Sequence, residues 1–294
     1  MYKYVYKNNL YFIHMKIIDC FTFYNELEML KYRLNVLNDS VDYFVLVEAN
    51  QTHVGKPKPL YFKDNCHLFE KYKEKIIHII VDLPHIYPNI NYKNNKPFQN
   101  YDYHENGEQW RNEAFQRHCI TRAFDKLQIE PEDFIIVSDL DEIVNPKILY
   151  TMKTSNIYFD FYKLEMDWYY YNLHNKLLEK WYHPYIMSYK YYTNIIDTNM
   201  NTKDSHIRLY LSELRLYINK EEMLYIKNGG WHLSYFGDVN FIQNKYLNYA
   251  HVESGCPDAS ILQDEIDNYK KKSIQDNDNL PPLYLEYLQN FIYL

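Results

Sequence analysis

Two aspartates one residue apart, Asp139 and Asp141, follow directly on the apolar run Glu132–Ser138. Carboxylates at this spacing, where an extended segment gives way to a turn, can point toward one hard cation. Mg²⁺ or Mn²⁺ takes oxygen ligands, commonly one or two carboxylates with substrate phosphates completing the shell. A cation held there would neutralise the charge of a leaving diphosphate. The bland reading is an acidic turn after a strand, so the surroundings must decide.

Three further constellations carry chemistry. In Trp110–Arg117, Arg111 and Asn112 stand at a helix start, which favours anions. Arg117 lies off the apolar face and could bind phosphate oxygens. In Gly229–Ser234, paired glycines permit close backbone approach. There Trp231 offers a flat platform for a sugar ring, and His232 or the later His251 could complete a metal shell. The third is Glu48-Ala49-Asn50 with Gly55–Pro59, where a polar loop could read a base or ribose and Lys56 or Lys58 could meet phosphate. Each has a plainer reading: a solvated helix face, a core histidine, a Pro-fixed surface turn.

The elements that must position these residues are legible in the first half. Lys16–Phe23, Val41–Glu48, Lys75–Asp82 and Glu132–Ser138 read as short buried strands. Asn25–Leu37 reads as a helix, with Leu27, Leu30, Leu34 and Leu37 on one face. Asn25 is placed as N-cap, with Glu28 as its capping-box partner. Leu60–Lys73 is a weaker helix, and Asn112–Leu127 a firmer one. Pro84–Glu108 reads as a long loop. Strand–helix alternation implies a mostly parallel central sheet flanked by helices, with ligands at the carboxyl ends of its strands. The second half is less regular. Ile157–Tyr171, Ile186–Thr193 and Leu224–Tyr235 have strand character. Val239–Tyr249, Ala259–Lys272 and Leu283–Leu294 look helical.

Composition excludes several classes. Lys+Arg is 32 against Asp+Glu 39, a net charge of −7, which argues against nucleic acid as partner. The six glycines lie at positions 55, 107, 229, 230, 237 and 255, so neither G-x-G-x-x-G nor a P-loop can be written. Cys20, Cys66, Cys119 and Cys256 form no C-x-x-C pair and read as free thiols. No apolar run approaches the ~18 residues of a membrane span. The absence of a signal or anchor sets the expectation of a cytoplasmic protein.

Taken together, five blocks resemble glycosyltransferase family 17, whose best-known members transfer N-acetylglucosamine to mannosyl-glycoproteins. They are Ile18–Leu27, Val41–Asn50 with Gly55–Leu60, Trp110–Arg117, Ser138–Ile143, and Gly230–Ser234 with His251 and Ser254 nearby. The resemblance covers residues 15 to 255. It implies a GT-A fold, a metal-dependent UDP-sugar donor, a carbohydrate acceptor and an inverting transfer. Asp139 and Asp141 match the D-x-D, and Asn25, Glu26, Glu48, Arg111 and Arg117 match blocks on the nucleotide side. Trp231 and His232 match the late Gly-Trp-His block. The base would be Asp238, in a region where GT-A enzymes often place it, or Glu142. Acceptor contacts are expected at Trp231, at the aromatic run Trp168–Tyr171 and in the loop Pro84–Glu108. Ser138 and Val144 depart from the mammalian pattern, which has Asp and Pro at these places.

The implied layout is an extension over 1–14, a transferase domain over 15–255 and a C-terminal helical segment over 256–294. Two rivals remain. A haloacid-dehalogenase-type phosphatase would carry D-x-D after its first strand, not its fourth. A catalytically inactive sugar- or nucleotide-binding module of the same fold would keep the cleft without the chemistry.

Overall fold

The computed structural model describes residues 15–83, 108–155, 159–200, 223–270, 279–289 and 291. The expected extension over 1–14 and nearly all of the expected acceptor loop lie outside these residues.

Four apolar segments pair in parallel, in the order β3-β2-β1-β4: β1 (Ile17–Phe23), β2 (Tyr43–Ala49), β3 (Ile76–Val81) and β4 (Phe134–Asp139). Their side chains alternate between two cores, as a sheet buried on both faces requires. Ile17, Phe21 and Phe23 pack with Leu30, Leu34 and Leu37 of helix α1 (Leu27–Leu37). Ile18, Cys20, Val45, Val47, Ile135 and Val137 pack with Cys119, Ile120, Ala123 and Phe124. Those four belong to a 3₁₀ segment, Cys119–Lys126, that continues α3 (Glu108–His118). Full burial of one such aliphatic or aromatic side chain contributes about 1.5–3 kcal/mol, so the parallel half is the rigid floor of the molecule.

Beyond β4 the pairing changes direction. β8 (Tyr185–Ser188) runs antiparallel to β4, and β6 (Phe161–Tyr170) antiparallel to β8. β9 (Met223–Ser234) runs parallel to β6, and β5 (Glu142–Val144) antiparallel to β9. β7 (Lys176–Trp181) hangs on β6. The fold is thus α/β as expected, with the parallel character concentrated in the first half.

Several local expectations are corrected. α1 starts at Leu27 with Glu26 at its cap position and no side-chain cap. The Glu26 carboxylate instead accepts from the backbone N–H groups of Tyr24 and Asn25, at 3.3 and 3.1 Å. The expected helix over 60–73 is one α-turn, α2 (Tyr61–Asp64), and a 3₁₀ stretch, Cys66–Tyr72. The expected strand over 186–193 stops at Ser188. Its hydroxyl accepts from Tyr191 N at 3.0 Å and opens α5 (Tyr189–Met200). α4 (Pro146–Thr154) was not expected, although Asn145 caps it and Pro146 occupies its first turn. α6 (Val239–Tyr246) and α7 (Ala259–Lys270) follow. In the last expected helix, over 283–294, the described residues hold one turn, α8 (Tyr284–Tyr287), which Leu283 enters with φ +57°, and residues 289 and 291 are again helical.

One glycine is required by close approach. Gly230 on β9 has φ +149°, and a Cβ there would lie 2.1 Å from the carbonyl oxygen of Ile143 on β5.

Candidate active site

The carboxyl ends of β1, β2 and β4 meet side by side. Thr22 stands opposite Asp139, and Phe23 opposite Glu48. The turn from Asp139 to Glu142 leaves β4 here, and Arg33 of α1 fixes its shape from below. Arg33 has no exposed surface. Its Nη1 donates to the carbonyl oxygens of Asp139 (2.8 Å), Leu140 (3.0 Å) and Glu142 (2.9 Å), and Nη2 donates to Ser138 Oγ at 2.6 Å. Asp19 on β1 balances the charge. The acidic turn is therefore a preorganised backbone unit rather than a loose loop.

Asp139 and Asp141 diverge onto different cations. Arg117 Nη2 is 2.6 Å from Asp139 Oδ1, and Arg117 Nη1 is 2.8 Å from Glu113. Burial alone would raise the Asp139 carboxyl, but Arg117 overrides it and holds the group below the usual range. Lys245 of α6 reaches Asp141 Oδ2 at 3.0 Å and Glu26 at 3.6 Å. His232 Nε2 lies 3.6 Å from the other Asp141 oxygen. Against the effect of burial, Lys245 and His232 keep Asp141 well below an ordinary carboxyl. Lys245 is correspondingly held up by Asp141 and Glu26 despite burial.

Glu142 behaves differently. Burial first, and the neighbouring Asp139 charge second, push its carboxyl up to about 7. One oxygen accepts from Asp139 N at 2.6 Å and the other from the Trp181 indole N–H. In register, Glu142 of β5 faces His232 of β9, which faces Trp168 of β6. Acid, imidazole and indole thus form one row across three strands.

These groups line a cleft of about 670 Å³, within the usual range for small-molecule sites. One side is polar and lies at the ends of β1 and β2, with Thr22, Tyr24, Gln51, Thr52, His53, Lys58 and Gln116. Gln116 is buried and donates to the Val47 carbonyl at 2.8 Å, and its Oε1 meets His53 Nε2 at 3.0 Å. The opposite side is aromatic, with Trp168, Tyr170, Trp181, His183, Tyr185 and His232.

Of the residues singled out in the sequence, Glu26, Arg117, Asp139, Asp141, Glu142, Trp168, His232 and His251 come together around this cleft, and Lys58 with them. Others do not line it. Glu48 is fully buried beneath it and accepts from Phe62 N at 2.9 Å, with Lys58 and His78 beside it. Asn50 donates to Asp82. Lys56 is exposed and reaches the Leu247 carbonyl at 3.4 Å. Asn25 and Arg111 stand outside the lining. Trp231 belongs to the core, its indole N–H donating to Asn279 O at 2.6 Å, because alternation along β9 sends its neighbour His232 to the cleft instead. Asp238 is exposed and caps α6 through Phe241 N at 2.8 Å. Sequence reasoning missed Arg33, Lys245, Trp181 and His183. No local pattern marks them, and Arg33, Lys245 and Trp181 act on residues far away in the chain. Among the described residues, no group of three or more His, Cys, Asp or Glu side chains is placed to hold a metal, and no helix is long and apolar enough to cross a membrane.

An acidic pair at the strand ends, beneath a cleft with one polar and one aromatic wall, suits an enzyme that moves a sugar from a charged leaving group to an acceptor. Comparison with known proteins gives that class: it is a glycosyltransferase. The glycosyltransferase family 17 model matches residues 8–276, and the chain belongs to that family. The match extends into the expected N-terminal extension and past residue 255. Two relatives, the beta-1,4-mannosyl-glycoprotein 4-beta-N-acetylglucosaminyltransferases of Rattus norvegicus and Homo sapiens, are each 28% identical over 134 residues. That stretch is 44% of this chain but 21% and 22% of the relatives, so it spans about a fifth of their length. Among solved structures, the galactosyltransferase LgtC in complex with donor and acceptor sugar analogues shares 11% identity, covering 72% of this chain and 73% of that one, with a TM-score of 0.32. GlyE of Streptococcus pneumoniae TIGR4 shares 9%, covering 95% of this chain and 61% of that one, also with a TM-score of 0.32.

Proposed function

We propose that this chain transfers N-acetylglucosamine from UDP-GlcNAc to a carbohydrate acceptor, with inversion, and that Asp139 and Asp141 hold Mn²⁺ or Mg²⁺ with the donor diphosphate. The observation that carries the reading is the acidic turn held open to the cleft by Arg33. The donor sugar follows the names of the rat and human relatives.

The donor set fits such a cation. The Asp139 side chain keeps about 45% of its surface exposed to the cleft, and hard cations of this kind are commonly bound by two carboxylates plus phosphates. Charge balance points the same way. Among the described residues, Glu26, Glu113, Asp139, Asp141 and Glu142 line the cleft against Lys58, Arg117 and Lys245 as permanent cations. A diphosphate entering this acid excess gains from a divalent partner. When bound, the metal would supply charge neutralisation for the departing UDP.

The chain's own residues do the rest. The polar side of the cleft receives the nucleoside. Arg117, paired with Asp139, and Lys245, paired with Asp141, stabilise the developing diphosphate charge. An acceptor hydroxyl attacks the anomeric carbon from the opposite face. The bond to the diphosphate breaks, and the hydroxyl proton passes to a carboxylate. Of the two candidates, Glu142 lines the cleft, whereas Asp238 is occupied with capping α6.

The test is UDP release from UDP-GlcNAc with a β-mannoside acceptor, with and without Mn²⁺. Acceptor-dependent release that needs the cation and falls by roughly 10²–10³ in Asp141→Asn, the usual size of a lost electrostatic contact, supports the proposal. Nucleotide binding without turnover under any acceptor would favour an inactive binding module, a reading encouraged by the cations that already occupy both aspartates.

A further inference from the structure

The aromatic side of the cleft is built for a task the acidic turn does not explain. Trp181 is the hub of four rings. Its centroid lies 4.1 Å from that of His183, 4.2 Å from His232 and 4.8 Å from Trp168. Trp168 and His232 are stacked at 5.8 Å with an interplanar angle of 15°. Both indole N–H groups are committed inside the protein: Trp168 donates to Ser234 Oγ at 3.0 Å and Trp181 to Glu142. The ring planes are thereby fixed before any ligand arrives, and what they present to the cleft is apolar ring surface. Trp168 and Trp181 are half-buried, and His183 is exposed at the rim.

Position narrows the occupant. β7 carries Trp181 on the edge of β6 that also pairs with β8, since β9 takes the other edge. The strand order puts β4 between it and the polar ends of β1 and β2, and the Trp181 indole reaches Glu142. A nucleotide would use the polar side. The aromatic side is left for a ring with C–H groups on one face and hydroxyls at its edge, which is a pyranose. Its hydroxyls would then stand beside Glu142, which the Trp181 indole holds in place.

We propose that Trp168, Trp181 and His183 form the subsite that packs the acceptor pyranose against the Glu142 side of the cleft. This rests on the transferase reading above, but it makes a separate claim about which residues recognise the acceptor. It also explains why a polar, exposed edge strand such as β7 carries a Trp at its end.

Saturation-transfer NMR tests it with methyl β-D-mannopyranoside, methyl β-D-glucopyranoside and methyl β-D-galactopyranoside as probes. Each is added to the full chain with diamagnetic Mg²⁺, in the presence and absence of UDP. The variants are Trp181→Ala and, because a half-buried Trp could affect folding, the exposed His183→Ala. The expected result is contact with at least one pyranoside in the wild type, weakened roughly tenfold in Trp181→Ala and several-fold in His183→Ala, in line with the loss of aromatic packing. UDP signals should stay unchanged in both. Absence of contact with all three pyranosides, or contact that both folded variants retain, overturns the subsite. Loss of UDP contact in the variants together with the sugar would also overturn it, since the wall would then belong to the donor. Absence of UDP contact in the wild type, with pyranoside contact intact and variant-sensitive, would instead sink the donor reading and leave the subsite standing.

Discussion

Arg33 and Asp19 form a two-point ion pair with no exposed side-chain surface, Nε to Oδ2 at 2.8 Å and Nη2 to Oδ1 at 2.6 Å. The pair lies under the acidic turn, and the guanidinium uses its remaining donors on three turn carbonyls and Ser138 Oγ. Removing one member of a buried pair leaves the other charge uncompensated. Arg33→Met should therefore lose about 3–5 kcal/mol of stability, read as a lower urea midpoint. Arg33→Lys keeps the charge but cannot reach carboxylate and carbonyls together. It should fold, yet lose transfer activity beyond what its stability loss explains.

Lys245 competes for Asp141 with any metal that binds there. Lys245→Gln should tighten Mn²⁺ binding in the absence of nucleotide, by up to about fivefold for a partly exposed pair. The same change should weaken UDP binding, because the ammonium also faces the diphosphate region. Calorimetric titration of metal alone and of UDP with metal separates the two effects. Weaker metal binding in the variant would contradict the placement of the ion at Asp141.

Gly230 allows β5 to approach β9. A methyl group there would meet the Ile143 carbonyl and a positive φ at once. Gly230→Ala should cost about 1–3 kcal/mol or more. Because β5 carries Glu142 and β9 carries His232, activity should fall even at temperatures where the variant remains folded. Thermal unfolding followed by activity at low temperature checks both parts.

Asp167 anchors β7 and the C-terminal segment through Lys176, Lys180 and Asn279. Burial opposes its charge, but these hydrogen bonds win and hold its carboxyl below the ordinary range. The sign follows: the unfolded chain takes up the proton first as pH falls. Stability from this group is complete above the unfolded value of about 3.9 and is lost below it as pH falls through the folded value. Stability measured from pH 5 down to pH 2.5 should fall less steeply in Asp167→Asn than in the wild type. Equal slopes would show that the cluster does not drive acid unfolding.

The strands β1 to β4 were legible because buried parallel strands are continuous apolar runs, and α1 because its leucines share one face. The rest was hidden for identifiable reasons. β5 has three residues, too few for any period. β7, with the sequence KLLEKW, is a polar edge strand in which Leu178 is almost fully exposed. The boundary at Ser188 turns on one side-chain hydrogen bond. In the site, Asp139, Asp141 and Glu142 were visible because they abut a strand end. Trp231 and His232 could not be told apart as core and cleft until the alternation of β9 was known. Lys245 and Arg33 reach the turn from helices more than a hundred residues away in sequence, a relationship that only the fold creates.

The most direct test of the central claim, that Asp139 and Asp141 hold a metal–nucleotide donor, is thermal unfolding with UDP-GlcNAc, with and without Mn²⁺, in the wild type and Asp141→Asn. Ligand at a hundredfold over its dissociation constant stabilises by about 2.7 kcal/mol, enough to raise Tm by a few degrees in a chain of this length. The account predicts a Mn²⁺-dependent rise in the wild type that disappears in Asp141→Asn. A rise of equal size in Asp141→Asn, or one indifferent to Mn²⁺, would contradict it.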